Sequence, residues 1–340
     1  MAALNARSMS MAEPLSPSVE FVGMQEAAGL ATDPHVLALV RFDTPRNAGD
    51  GNSPWLDTGL SRLGPDPGLV QCWRTGAAVR HFREGQFSVH ASSGLALIAA
   101  TIDDRDNPAE AAETLYGGLI ATAEKLDCPH MLRIWQYLPR ITEPLGDEDR
   151  YRAYCAGRRH ALTQLGLHRD AALPAACLLG DQGDSILLYA LVAATPGTQV
   201  ENPRQISAFH YPPQYGKASP SFSRALTVRW PDGRRQLYIS GTASVVGHAT
   251  LHATAEEQTR ETLANLDALI AAGTAEGGPD ASELAAIAPL KVYVRHREDY
   301  PIVRNELNKR LPPDHPVLYL QADVCRPDLL VEIEGMIGGN

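Results

Sequence analysis

The chain has 340 residues, and forty Asp and Glu against thirty Lys and Arg leave a formal charge of −10. At this length two domains are expected rather than one, and area scaling leaves roughly 13,500 Å² exposed of roughly 53,000 Å² unfolded, so no disulfide or metal staple is needed. The acidic balance argues against nucleic acid or an anionic membrane as partner, and any grip on a small anion must come from local reversals of that balance.

Met1 to Pro14 has no apolar core and reads as a flexible extension. No uncharged stretch approaches ~20 apolar residues, so no membrane span is expected. Phe87–Ala99 reads as a strand-like run. A helix follows with Leu115, Leu119, Ala123 and Leu126 on one face. Leu132–Leu138 is the next strand, a helix opens at Asp149 and runs to about Leu165, and Ile186–Val192 is a buried strand. The second half replays this order. It has a strand at Gln236–Ser244, a helix carrying Leu263, Leu266 and Ile270, and a strand at Leu290–Val294. A helix from about Asp299 to before Pro312 follows, then strands at Val317–Leu320 and Leu330–Glu334. Thr114 and Thr262, and Asp149 and Asp299, correspond at a spacing of about 150 residues. The matched helix starts Glu113-Thr-Leu and Glu261-Thr-Leu support two copies of one β-β-α-β-α-β unit. The expected division is an extension to residue 15, a first domain over 16–196 and a second over 197–340. Thr44–Pro67 reads as a loop, Pro196–Pro203 as the boundary, and Gly273–Asp280 as a helix-to-strand connection.

Five cysteines, Cys72, Cys128, Cys155, Cys177 and Cys325, are scattered without a C-x-x-C pair. That pattern fits a reducing cytoplasm better than a disulfide framework or a zinc site. His248 and His252 stand four apart, but no third ligand is near and no H-E-x-x-H is present, so no metal is expected. Dinucleotide, phosphate-loop and nucleophile-elbow motifs are absent as well.

The charge reverses sign between Arg204 and Arg235. Arg204, Lys217, Arg224, Arg229, Arg234 and Arg235 stand there against one acid, Asp232. Phe209, Tyr211, Tyr215 and Phe222 share the stretch. Guanidinium forks and phenol hydroxyls beside aromatic faces suit a small planar carboxylated ligand; a solvated basic loop has the same composition. A second basic cluster holds Lys291, Arg295, Arg297, Arg304, Lys309 and Arg310. Arg304 stands near Tyr300 and Leu307 on its helix and either points inward or lies on the surface.

Ser240-Gly-Thr-Ala-Ser, Thr259-Arg-Glu-Thr-Leu-Ala-Asn-Leu, Leu290-Lys-Val-Tyr-Val and Val331-Glu-Ile-Glu-Gly resemble the YjgF/RidA superfamily. The run Asn202-Pro-Arg-Gln-Ile-Ser-Ala-Phe-His-Tyr-Pro-Pro-Gln-Tyr-Gly-Lys-Ala-Ser-Pro-Ser-Phe-Ser-Arg-Ala is more specific and resembles the chorismatases. The resemblance implies an α+β fold of two tandem YjgF/RidA-like (chorismate mutase-like) domains, each a mixed sheet with helices on one face, the second carrying most of the active site. It implies cleavage of the enolpyruvyl ether of chorismate to pyruvate without metal or organic cofactor. The accompanying product is 3-hydroxybenzoate, 3- and 4-hydroxybenzoate together, or a dihydroxycyclohexadiene carboxylate. It also implies a monomer or a homotrimer.

Chorismate carries two carboxylates, which calls for two anion-holding clusters in one cleft. Arg204, Tyr211, Tyr215, Lys217, Arg224 and Arg304 are the expected binding residues. Enol ether cleavage begins with protonation of the methylene carbon by a general acid. Glu332 and Glu334 share one face of a strand, so spacing alone does not choose between them; the resemblance favours Glu332. Burial must raise its pKa, against the pull of nearby Arg. The resemblance also marks Ala243 and Cys325 as product-determining, Ala243 leaning to hydrolysis and Cys325 to aromatisation. That mixture fits the subgroup making both hydroxybenzoates. A YjgF-like imine deaminase and a non-catalytic ligand-binding protein are the competing readings.

Overall fold

The computed structural model describes residues 15–65, 68–164, 166, 173–212, 215–216 and 218–339. The extension to Pro14, Leu165 and the candidate Lys217 lie outside the described residues. The accessible surface is 14,299 Å², close to the expectation from mass.

The first elements are β1 (Ser18–Gly23), α1 (Met24–Leu30), β2 (Val36–Arg41), β3 (Trp55–Asp57) and β4 (Leu69–Arg74). They form a four-stranded sheet in the order β1-β4-β2-β3. The sequence reading marks no separate sheet here, and it takes the stretch holding β3 for loop. Three residues are too few for periodicity to register.

The next unit comprises β5 (Arg80–Glu84), β6 (Phe87–Ser92), β7 (Leu95–Asp103), α2 (Pro108–Lys125) and β8 (His130–Pro139). After the short hairpin β9 (Pro144–Leu145) and β10 (Glu148–Asp149) come α3 (Arg150–Gln164), β11 (Ala175–Asp181) and β12 (Ser185–Ala193). The last unit comprises β13 (Gly197–Val200), β14 (Ala225–Arg229), β15 (Arg235–Ala243) and the short pair β16 (Val245–Val246) and β17 (Ala249–Thr250). It continues with α4 (Ala255–Ala275), β18 (Leu290–Val294), α5 (Tyr300–Asn308), β19 (Val317–Gln321) and β20 (Val331–Ile337).

The two six-stranded sheets run β5-β6-β7-β12-β8-β11 and β13-β14-β15-β20-β18-β19. Position by position they are the same sheet. The pairs β8/β11 and β18/β19 are parallel and their neighbours antiparallel. The repeat is therefore real, and longer than the sequence reading has it: β-β-β-α-β-α-β-β. Phe87–Ala99 is a hairpin and not one strand, because the chain turns at Gly94, whose φ is +62°, a conformation that suits glycine.

Local signals explain the helices. Asn107 caps α2 by accepting from the Glu110 amide at 3.3 Å, with Pro108 opening the helix. Thr254 caps α4 through the Glu257 amide at 3.3 Å and donates to the Glu257 carboxylate at 2.8 Å.

Strand periodicity then separates the cores. On β12, Leu187, Tyr189 and Leu191 join an inner core shared by all three sheets, while Ile186, Leu188 and Ala190 pack under α2 and α3. On β20, Val331, Ile333 and Ile337 face α4 and α5, and Met336 faces the inner core. Glu332 and Glu334, at the same parity as Met336, therefore face inward.

Candidate active site

The two copies meet where β11 of the first lies against the second. Ala175 bridges to Ser223, and the Ser240 hydroxyl accepts from the Ala176 amide at 2.9 Å while donating to Ser223 O at 2.5 Å. Beside this seam is a cavity of about 420 Å³, within the size range of small-molecule sites. Glu332, Gly241, Ala243 and Val245 form one wall. Ala176, Cys177 and Leu178 of β11, with Tyr151 and Arg158 of α3, form another. Tyr211, Tyr215, Phe222, Arg224, Cys325 and Arg326 close the rest. Both copies thus contribute, where the sequence reading gives most of the site to the second.

The geometry separates the two glutamates. Glu334 is 1% exposed and saturated: it pairs with Lys291 Nζ at 2.8 Å and with Arg133, and accepts from Trp135 Nε1 at 2.9 Å and Tyr293 OH at 2.5 Å. Glu332 lines the cavity, and its carboxyl is raised to about 7 by burial, with Arg133 and Arg224 pulling the other way. It can hold a proton near neutral pH, as a general acid must. Its room comes from Gly241 on β15, in the irregular stretch of the ladder beside it. A Cβ at Gly241 would lie 1.8 Å from Glu332 Oε1, so any side chain there displaces the carboxyl. The ladder between β15 and β20 shifts register between Ile239 and Thr242, and this bulge brings Ala243 opposite Glu332.

Three guanidiniums reach the cavity without a carboxylate partner among the described residues. Arg224 is buried; its Nη2 donates to Ile206 O at 2.9 Å and Tyr211 OH at 2.7 Å, and its Nε is unpaired. Arg326 stacks over Tyr215 at 4.2 Å and Tyr211 at 5.2 Å, with Nη1 donating to His248 O at 2.8 Å. Arg158 is 1% exposed; its Nη2 lies 3.5 Å from Cys155 Sγ and its Nε is unpaired. A buried charge without a counterion is costly, and an anionic ligand would supply that counterion.

Tyr211, Tyr215, Arg224, Ala243, Cys325 and Glu332 of the expected set converge here. Two others do not. Arg204 is not among the lining residues: it pairs with Glu261 at 2.7 Å and donates to Asn265 Oδ1 at 2.7 Å. Arg304 is exposed on α5, about 100° around the helix from buried Val303. We expect Arg304→Ala to leave KM for substrate within about twofold of wild type; a large rise in KM would contradict this placement. His248 and His252 do not share a helix face. His248 Nδ1 meets Tyr215 OH at 3.0 Å, and His252 meets Glu261 at 3.2 Å. Among the described residues no group of three or more His, Cys, Asp or Glu is placed to hold a metal, and no helix is long and apolar enough to cross a membrane.

Sequence reasoning missed Tyr151, Arg158 and Arg326. Arg326 follows Cys325 directly, and that adjacency is the signal available for it. Arg158 lies on a helix whose approach to the second copy is purely tertiary. Cys325 is pushed up to about 12 by burial, with Glu332 adding to the shift, so it acts as a small apolar neighbour and not as a thiolate. It packs with Ala243, Val245, Val324 and Leu329 in one small cluster.

Comparison with known proteins places this architecture. The family model described as Chorismatase FkbO/Hyg5-like, N-terminal, matches residues 71–192. A 3-hydroxybenzoate synthase of Streptomyces hygroscopicus is 34% identical over 296 residues, covering 85% of this chain and 86% of its own. A chorismatase of Streptomyces rapamycinicus is 37% identical over 247 residues, 70% of this chain and 73% of its own. A chorismatase crystal structure matches with a TM-score of 0.86 at 30% identity, over 97% of this chain and all of that one. With a composite cavity, an inward glutamic acid and likeness of sequence over 85% and of fold over 97% of its length, the chain belongs to the chorismatase family of enzymes.

Proposed function

We propose that the protein cleaves the enolpyruvyl ether of chorismate, with Glu332 as the acid, giving pyruvate and 3-hydroxybenzoate together with 4-hydroxybenzoate. The observation that carries this reading is a buried Glu332, its carboxyl raised to about 7 by burial, in a cavity lined by three guanidiniums that have no carboxylate partner among the described residues. Arg158, Arg224 and Arg326 are suited to the two carboxylates, and the two tyrosines to the ring hydroxyl and ether oxygens. Glu332 protonates the methylene carbon, and the positive charge moves to the ether carbon next to oxygen. The bond between ring carbon and ether oxygen then breaks, its electron pair staying on the oxygen that becomes the ketone of pyruvate, with no net water. The ring keeps its hydroxyl oxygen, in place for 4-hydroxybenzoate or moved onto the vacated neighbouring carbon for 3-hydroxybenzoate, and either way one ring C–H proton is released, replacing the one Glu332 gave. Aromatisation of the ring drives the step.

Capture of the cation by water gives the second reading, a hydrolase releasing the dihydroxycyclohexadiene carboxylate. Ala243, opposite Glu332 in the ladder, favours that outcome by leaving space beside the acid; Cys325 favours the dry one. The test incubates purified protein with chorismate, follows pyruvate with lactate dehydrogenase, and separates the ring products by chromatography. Pyruvate with both hydroxybenzoates is expected. Absence of pyruvate above background would overturn the reading.

A further inference from the structure

Neither Ala243 nor Cys325 makes a polar side-chain contact that fixes it. Their positions depend on the backbone segments that carry them, Ala243–Val245 on one wall and Val324–Leu329 on the other. Both segments are tied to the same helix.

On α4, Gln258 and Asn265 are wholly buried. They stand seven apart, two turns along one face, and neither lines the cavity. Asn265 Nδ2 donates to Ala243 O at 3.0 Å and Val245 O at 2.9 Å. Its Oδ1 accepts from Arg204 Nη1 at 2.7 Å, which Glu261 holds in turn. Gln258 Nε2 donates to Asp328 O at 2.7 Å and His252 O at 2.9 Å, and its Oε1 accepts from the Leu330 amide at 2.8 Å. A third group grips the same segment from β18's end. Arg295 donates to Leu329 O, Val324 O and Arg326 O at 2.7–2.8 Å and pairs with Asp323 at 2.8 Å. Its guanidinium works as a template for the turn that presents Cys325 and Arg326.

The repeat gives a comparison inside the molecule. At the spacing that aligns Thr114 with Thr262, Gln258 matches Glu110 and Asn265 matches Gly117. Glu110 is exposed on α2, bonded to its own cap at Asn107. The first copy folds the same helix against the same sheet without either amide. The helix therefore does not need them to pack; the cavity walls do.

We infer that Gln258 and Asn265, backed by Arg204 and Arg295, are positioning residues that set the separation of the Ala243 and Cys325 walls and thereby divide the cation between aromatisation and capture by water. This rests on the chorismate reading above. Arg204, expected from sequence to grip substrate, acts through Asn265 instead. Removing the Asn265 donors cuts the tie to Ala243 O and leaves Val245 O to its bond from Gln205 Nε2 at 2.9 Å, which loosens the wall next to Glu332 and admits water.

The test is the ring-product ratio of Asn265→Asp, which keeps the acceptor for Arg204 and loses both donors. The dihydrodiol share should rise at least ~3-fold relative to the hydroxybenzoates, whatever the change in total turnover. A merely structural defect lowers the active fraction and scales every product equally. Gln258→Glu and Arg295→Lys are run beside it, so that a folding failure of one variant leaves two readings. If wild type and folded variants release pyruvate with the same ratio, the positioning role is wrong. If wild type releases no pyruvate, the chorismate reading itself falls, and the inference with it.

Discussion

Glu332→Gln lowers pyruvate release from chorismate by about 10²–10⁴-fold, the usual contribution of a positioned acid, while chorismate still binds. Gln keeps the size of the side chain and the cavity shape but has no acidic proton to give. Binding should survive because the guanidiniums that hold the carboxylates are untouched; isothermal calorimetry with chorismate reads this separately from turnover. Retained turnover in Glu332→Gln would remove Glu332 as the proton donor. The same variant carries a second, opposite signature in stability. The carboxyl titrates at 4.5 when free and at about 7 in the fold. Between those values the folded state holds a proton that the unfolded chain has released, so stability declines as pH rises through the interval. Above pH 7 the wild type has lost about 3 kcal/mol to this burial. Glu332→Gln should accordingly melt higher than wild type at pH 8 and show no such gain at pH 4. A functional residue that costs stability fits the usual trade at active sites.

Glu334→Gln should do the reverse. Glu334 is the counterion of two buried cations, Lys291 and Arg133, each no more than 2% exposed. Burial first, and then the Arg133 charge, push the Lys291 ammonium down, and the Glu334 carboxylate stands 2.8 Å from it, where an opposite charge favours the charged form. Neutralising one partner of such a cluster costs about 3–5 kcal/mol, because the remaining charges stay desolvated. Tyr293 and Trp135 lose a charged acceptor as well. The expected result is a clear fall in denaturant midpoint with turnover of the folded enzyme largely kept. Wild-type stability with lost turnover would make Glu334 the acid and contradict the assignment.

Glutamates two residues apart on one strand show how far sequence reaches. Parity puts both on the same face, and the fold agrees. What separates them is the partner each meets across the inner core, and Trp135 and Arg133 are about 200 residues away in sequence. The repeat was legible because α2 and α4, and the strands that follow them, carry matching patterns. The N-terminal sheet was not, since its strands are short and β3 sits in a glycine- and proline-rich stretch. Charge clustering along the chain pointed to the Tyr211–Arg224 segment, and Tyr211, Tyr215 and Arg224 line the cavity. It could not tell that Arg204 and Arg304 lie away from the cavity lining, because neighbours in sequence diverge: one turns to Asn265 behind the wall, the other to solvent on α5. Arg158 and Tyr151 were invisible for the complementary reason. In sequence their helix reads only as a helix opening at Asp149, and only the meeting of two copies brings it to the cavity. The opening charge of −10 is likewise resolved by placement, since Arg158, Arg224 and Arg326 line one cavity in an otherwise acidic protein.

The pH dependence of kcat/KM for pyruvate release tests the proposed role of Glu332 most directly, since that parameter reports the ionisation of the free enzyme. With a glutamic acid raised to about 7 as donor, kcat/KM should be level below that pH and fall tenfold per pH unit above it. A profile that stays level to pH 9, or rises with pH, contradicts proton donation by Glu332.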